Sequence, residues 1–168
     1  MEEYIKKLDE EAKEVIELAK KTAELAGCVY IGTDHIFLGI LRGKGVGCQA
    51  IKNLDIDIDQ LINRVEGIMK KDELDDFDKK EELAGMTPRA EKVLKLAEKY
   101  SSKLGQRYIG TGHLLYASLG EEYGFANILL TEKRGITRDI IRKELTSLLT
   151  TGKSTTPLII LNAHGEHF

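Results

Sequence analysis

Two short segments hold the residues best suited to bind a charged ligand. They are Gly32, Thr33, Asp34 and His35, and then Gly110, Thr111, Gly112 and His113. Threonine favours the N-cap of a helix, where free backbone N–H groups and the helix dipole attract anions. Asp34 adds a carboxylate, so this helix start could bind a group that carries both signs. The alternative is capping alone, with Thr33 and Thr111 as N-caps and Asp34 stabilising the dipole.

The histidines of these segments raise the question of catalysis. Cys28 lies shortly before His35 in the sequence, and a thiol paired with an imidazole is the centre of a cysteine hydrolase. The third, orienting group of a triad is missing from this spacing, and the second segment has Gln106 where the first has Cys28. We therefore expect His35 and His113 to pack or hydrogen-bond locally at helix starts, and we expect no catalytic residue.

Two other patterns resemble cofactor or metal motifs only in part. Gly152–Ser154 ends like a phosphate-binding P-loop, but Ser147 stands where the loop needs its first glycine and no strand is predicted before it. His164 and His167 form an HxxH pair, whereas a stable zinc site takes about four ligands. The sequence thus predicts neither a cofactor nor a metal site.

The composition narrows the class of protein. The chain has 168 residues, 42% of them hydrophobic, and a formal net charge of −3, so a basic surface that would attract nucleic acid is not expected. Cys28 and Cys48 form no CxxC pattern, and no apolar run approaches the roughly 18 residues of a membrane span. The N-terminus is charged and lacks the features of a signal peptide. We expect a cytoplasmic globular protein that binds neither nucleic acid nor membrane.

The chain contains an internal repeat. Residues 8–41 align without gaps on residues 86–119, at an offset of 78, and 12 of the 34 pairs are identical. Ordinary composition would give about two identities by chance. The densest block of identities is the pair of segments introduced above, so the repeat unit includes the candidate binding residues.

Each half is predicted to contain four helices, which makes the fold all-α with eight helices in two tandem repeats. The first helix spans about Asp9–Ala26, because its apolar residues recur at helical spacing. Asp9 is its expected N-cap and Gly27 its left-handed stop. Thr87 and Gly105 should begin and end the corresponding helix of the second half.

Composition also places the boundaries. They are 1–70 for the first repeat, 71–85 for a charged linker, 86–150 for the second repeat and 151–168 for a flexible tail or the start of a linker. Eleven of the 13 residues in 70–82 are charged, which is typical of a solvated segment. The tail begins with threonine, glycine, lysine, serine and proline residues, which favour an irregular chain.

The doubled motif resembles the Clp N-terminal repeat, and most closely the ClpC type. It consists of Ala12, Val15, Leu18, Ala19, Gly27 and Tyr30–Ile40 in the first copy, and of Ala90, Val93, Leu96, Ala97, Leu104–Gly105 and Tyr108–Leu115 in the second. The resemblance covers about residues 8–150. It implies eight helices with pseudo-twofold symmetry, and a domain that receives adaptors and substrates for an AAA+ protein unfoldase.

In ClpC-type domains of Gram-positive bacteria, the resemblance further implies recognition of phosphorylated arginine. There the acidic residue of each Gly-Thr-Glu-His motif pairs with the guanidinium. This chain has the shorter Asp34 in the first copy and Gly112, without a carboxylate, in the second. The expected ligand site is therefore Gly32, Thr33 and Asp34, with Thr111 and Gly112 as a weaker second site.

These observations lead to one main functional hypothesis and two alternatives. The main one is a non-catalytic docking domain of a ClpC-type unfoldase and protease system, whose partners are adaptors, protein substrates and, in a longer chain, the Clp ATPase rings. The first alternative is a stand-alone helical interaction protein that is not coupled to proteolysis. The second is a hydrolase that uses Cys28 and His35.

Overall fold

The computed structural model describes residues 2–72, 83–121 and 124–155. Its helices are α1 (Glu2–Ile5), α2 (Glu10–Leu25), α3 (Thr33–Arg42), α4 (Val46–Asn53), α5 (Ile58–Asp72), α6 (Pro88–Lys103), α7 (Thr111–Ser118), α8 (Phe125–Leu130) and α9 (Arg138–Thr151). Helices α2–α5 form the first repeat and α6–α9 the second, so the predicted all-α fold of two four-helix repeats is confirmed. The short helix α1 precedes this pattern.

The first helix of each repeat begins and ends as its sequence predicts. Asp9 is the N-cap of α2 and accepts a hydrogen bond from the Ala12 N–H at 2.8 Å. Thr87 caps α6 in the same way, with Pro88 at the first helical position. Gly27 and Gly105 follow these helices with φ of 72° and 73°, a conformation that costs glycine little.

Two short strands, which the helical periodicity does not predict, join the repeats. Strand β1 (Tyr30–Ile31) pairs in parallel with β2 (Gly85–Met86). The Thr87 N–H also donates to the Ile31 carbonyl at 2.9 Å. The pairing places the start of α6 beside the start of α3, so the N-termini of two helices from different repeats lie next to each other.

One hydrophobic core runs through both repeats. Phe37 of α3 is fully buried and meets Phe125 of α8 edge to face, with the ring centroids 6.1 Å apart. Helix α4 packs against α7 and α9, which belong to the other repeat. Because neither half buries its apolar face alone, we regard the two repeats, as far as the structure describes them, as one folding unit.

The ends of the repeats differ in detail from the boundaries expected from composition. Helix α5 continues to Asp72, and the Ala84 N–H donates to the Val29 carbonyl at 2.7 Å, so both ends of the expected linker 71–85 belong to regular structure. Its central residues 73–82 lie outside the described residues. In the expected tail, Thr155 bonds to Glu144 of α9, while residues 156–168 lie outside the described residues.

Candidate ligand-binding site

The two histidines hold the starts of α3 and α7. The Nδ1 atom of His35 accepts a hydrogen bond from the Gly32 N–H at 2.8 Å, and His113 accepts from Gly110 at the same distance. Both imidazoles are 4% exposed. This is the backward half of a capping box, in which the third helical residue satisfies the N–H of the N-cap. The expectation of a local hydrogen bond at each helix start is therefore confirmed.

The expectation that Thr33 and Thr111 are N-caps is wrong by one residue. Gly32 and Gly110 are the N-caps, with extended backbone angles, and each threonine is the first helical residue. The physical reason is that the side chains of His35 and His113 accept the N–H groups of Gly32 and Gly110. Each helix therefore starts at the threonine, one residue earlier than it would if the threonine were the N-cap. The threonine hydroxyls are left to make other contacts.

The same hydrogen bonds bear on the hydrolase interpretation. A histidine whose Nδ1 accepts an N–H bond carries its own hydrogen on Nε2 when it is neutral. His35 in this tautomer has no free nitrogen with which to take a proton from a thiol such as Cys28. In the second copy, Nε2 of His113 lies 2.6 Å from Oε1 of Gln106, an arrangement that suits the same tautomer. These imidazoles are arranged as structural donors and acceptors.

At the first helix start, Thr33 and Asp34 reach the surface. Both residues are partly exposed, and the Asp34 side chain is 36% exposed. Oδ1 of Asp34 accepts a hydrogen bond from the His35 N–H at 2.9 Å, which directs the carboxylate along the start of α3. Its negative charge lies at the positive end of the helix dipole. A partly exposed carboxylate thus lies at the start of α3, where the N–H groups of Gly32 and His35 already donate to side chains.

The second helix start is closed. Thr111 is 2% exposed, and its Oγ1 accepts a hydrogen bond from the Gly47 N–H of α4 at 3.0 Å. Gly112 is also buried, and a Cβ atom there would lie 2.7 Å from Cγ1 of Val46 and 3.1 Å from Cδ2 of Leu149. Thr111 and Gly112, the residues expected to form the weaker second site, are therefore packed against the rest of the protein. Their counterparts Thr33 and Asp34 reach solvent.

The charges around the two helix starts also differ. Asp9 lies beside Gly110, with Oδ2 2.9 Å from the position of a Cβ at that glycine. Burial lowers the pKa of His113, and the negative charge of Asp9 opposes this shift. Thr87 takes the place of Asp9 in the second repeat, and Arg89 that of Glu11. The neighbouring first helix thus begins with Asp9 and Glu11 beside the buried copy, and with Thr87 and Arg89 beside the exposed copy.

A pocket opens directly beside the exposed helix start. Thr33 lines it together with residues of α6, the end of α7 and the start of α8, among them Arg89, Lys92, Val93, Leu96 and Phe125. The repeat alignment alone could have singled out the two basic residues, because Arg89 and Lys92 align with the acidic Glu11 and Glu14. The pocket itself depends on packing between repeats, which the alignment does not describe.

The remaining motifs have no cofactor geometry in the described residues. Gly152 is the C-cap of α9 with φ of 73°, so a helix ends at Gly152–Ser154 instead of beginning there as in a P-loop. Among the described residues no cluster of three metal-ligating side chains occurs, and no helix is long and apolar enough to cross a membrane. His164 and His167 lie outside the described residues.

The family follows from a comparison with known proteins. The model of the Clp repeat (R) N-terminal domain matches residues 7–133 and 86–157. The chain belongs to this family. It is 31% identical over 149 residues to the chaperone protein ClpB of Oceanobacillus iheyensis, and 31% identical over 141 residues to the negative regulator of genetic competence ClpC/MecB of Bacillus subtilis. These matches cover 86% and 83% of the chain but 17% of each relative.

Solved structures agree with this assignment at the level of the fold. The N-domain of ClpV from Vibrio cholerae superposes with a TM-score of 0.68 at 18% identity, covering 92% of this chain and 90% of that one. The ClpV N-domain in a complex with a VipB peptide superposes with a TM-score of 0.65 at 20% identity, covering 89% and 91%. Domains of this Clp repeat family are non-catalytic N-terminal domains of Clp and Hsp100 AAA+ proteins that bind adaptors and substrates.

Proposed function

We propose that this Clp repeat domain docks adaptors and substrates for a ClpC-type unfoldase and protease system. Family membership and the similarity to ClpC/MecB of Bacillus subtilis support the proposal. The peptide bound to the ClpV N-domain supports it as well, because that domain shares this fold. The chain spans 17% of the length of this relative.

We further propose that the helix start at Gly32, Thr33 and Asp34 binds one phosphoarginine side chain. The observation that supports this is the partly exposed Asp34 carboxylate at the N-terminus of a ten-residue helix. The carboxylate would accept the guanidinium N–H groups, and the N–H groups of Thr33 and Asp34, with the helix dipole, would favour the phosphoryl group. We expect no binding of comparable strength at Thr111 and Gly112, because both are buried and position 112 has no carboxylate.

Calorimetry with free phosphoarginine tests this site. We expect one binding site per chain, and we expect Asp34→Ala to lower the affinity at least tenfold because the guanidinium loses its charged partner. Asp139→Ala is the matched control, since Asp139 is an exposed aspartate in the first turn of α9. It removes the same charge from another helix start and should leave binding unchanged. Two equal sites, or binding that survives Asp34→Ala, would contradict the proposal.

A degradation assay extends the same prediction to docking. A ClpC unfoldase with its protease degrades a phosphoarginine-marked substrate, and an excess of this isolated domain is added as a competitor. We expect the domain to slow degradation and the Asp34→Ala variant to lose that effect, with Asp139→Ala behaving like the wild type. A domain that binds phosphoarginine in the calorimeter but never competes would instead favour an interaction protein that is not coupled to proteolysis.

A further inference from the structure

The pocket beside Thr33 has room for a side chain from another molecule. Its volume is about 80 Å³, compared with the roughly 10–15 Å³ that a single water needs. Thr33 at the start of α3 and Arg89, Lys92 and Val93 in the N-terminal half of α6 contribute to its lining. Because Thr33 lines it and Asp34 is the next residue, the pocket and the Asp34 carboxylate are neighbours.

The interior of the pocket is apolar and its rim is mostly basic. Val93, Leu96 and Phe125 contribute apolar surface from α6 and α8. Arg89 and Lys92 are exposed on the same side of α6, and neither forms a salt bridge with another described residue. Among the described residues that line the pocket, Glu121 is the one acidic residue. Such a site favours an apolar side chain that is accompanied by negative charge.

The equivalent place in the first repeat differs in the charge of its first helix and in the access to its threonine. Glu11 and Glu14 replace the two basic residues there. Thr111, the counterpart of Thr33, is bonded to Gly47, and Gly47 in turn packs against the Thr111 backbone. The first repeat has a pocket of its own beside Glu11, but Thr111 does not line it, whereas Thr33 lines the pocket of the second repeat.

We propose that this pocket binds an unphosphorylated acidic peptide segment, with an aliphatic side chain in the interior and a neighbouring carboxylate on Arg89 and Lys92. The subsite works independently of the Asp34 carboxylate, so it goes beyond the phosphoarginine site and stands without it. It gives the domain a way to recognise an adaptor or substrate by its sequence. Charge complementarity identifies the occupant, since a basic segment would meet the two cations at the rim.

Fluorescence anisotropy with short labelled peptides tests the proposal. The probe is a Gly/Ser peptide with Glu-Leu-Glu at its centre, and the comparison peptides carry Glu-Ala-Glu or Lys-Leu-Lys there. We expect the alanine peptide to bind about tenfold more weakly, because the interior of the pocket loses its apolar partner. The lysine peptide should bind more weakly still.

Charge reversal on α6 assigns the binding to the pocket. Lys92→Glu should weaken the Glu-Leu-Glu peptide about fivefold and improve binding of the Lys-Leu-Lys peptide, a change that a merely weakened protein would not show. Lys95→Glu is the matched control, because Lys95 is exposed on the same helix and does not line the pocket. Both lysines are on the surface, so both variants should fold.

The outcomes separate the two proposals. Asp34→Ala should abolish phosphoarginine binding and leave the Glu-Leu-Glu peptide bound, whereas Lys92→Glu should weaken the peptide. Glu-Leu-Glu binding without phosphoarginine binding would remove only the phosphoarginine site. Absence of peptide binding, equal binding of the three peptides, or an equal effect of Lys92→Glu and Lys95→Glu would overturn the pocket proposal.

Discussion

At the scale of single residues, the two repeats keep their scaffold and change their chemistry. His35 and His113 make the same hydrogen bond at the same distance, so this part of the motif serves the helix start in both copies. Asp34 and Gly112 occupy equivalent positions but differ in charge and exposure. The sequence alone shows the missing carboxylate. It cannot show that Val46 fills the space, because that residue comes from a helix of the other repeat.

Gly112 is expected to be intolerant of any side chain. A Cβ atom at this position would lie 2.7 Å from Val46 Cγ1, so Gly112→Ala should lower the free energy of unfolding by about 1–3 kcal/mol through overpacking. Gly67→Ala is the control within a helix, because Gly67 is exposed in α5 and a Cβ there meets nothing within 4 Å. It should raise stability by about 0.5–1 kcal/mol through helix propensity.

Urea unfolding followed by circular dichroism measures both changes. If Gly112→Ala were as stable as the wild type, Val46 and Leu149 would leave room for a side chain at position 112. Phosphoarginine binding at the second copy would then merit a test with Gly112→Glu.

At the scale of elements, the termini of α2 and α6 follow from the sequence, whereas the start of α3 does not. Asp9 and Thr87 cap their helices through local bonds to residues three positions away, which a sequence pattern records. The start of α3 is set by His35, a residue with weak capping preference, and by the two-residue pairing of β1 with β2. Strands this short have no detectable periodicity. The sequence therefore does not show that α6 begins beside α3, and the pocket between them could not be predicted.

Thr111 acts as a cap for a helix of the other repeat. Gly47 is the second residue of α4, and its N–H is one of the groups that a helix start leaves without an internal partner. Thr111→Val removes the acceptor while keeping the shape, so we expect a loss of about 1–2 kcal/mol in the free energy of unfolding. Thr33→Val is the equivalent change at a partly exposed position and should cost less than about 0.5 kcal/mol.

Thermal and urea unfolding of the two threonine variants measure this difference. Equal losses would show that the hydroxyl of Thr111 does not stabilise α4 across the repeat boundary. A loss confined to Thr111→Val would show that the repeats are joined by specific bonds as well as by their shared core.

At the scale of the whole molecule, a buried carboxylate joins both repeats to the end of the described chain. Glu144 of α9 is fully buried, and its Oε2 accepts a hydrogen bond from Nδ2 of Asn53 in the first repeat at 2.9 Å. The Thr155 N–H donates to Oε1 at 2.7 Å, after the chain has turned at Gly152. Composition predicts a tail here because threonine and glycine favour irregular chain, and a contact with a distant glutamate leaves no local pattern.

This cluster predicts how stability depends on pH. Burial raises the pKa of Glu144, but hydrogen bonds from Ser154, Thr155 and Asn53 outweigh it and leave the pKa below its usual value of 4.5. A carboxyl with a lower pKa in the folded state stabilises the fold above its unfolded pKa, and this contribution is lost as pH falls through the folded pKa. Glu144→Gln should therefore cost about 1–3 kcal/mol at pH 7, and its deficit relative to wild type should shrink below pH 4.

Urea unfolding at a series of pH values from 7 to 3 tests this, with Glu17→Gln as the control on an exposed face of α2. The control should follow the wild type at every pH. Hydrogen exchange of the Thr155 amide gives a second readout, because its protection depends on the Glu144 acceptor. A Glu144→Gln variant with unchanged stability and unchanged protection at Thr155 would mean that the carboxylate neither couples the repeats nor fixes the chain that leaves α9.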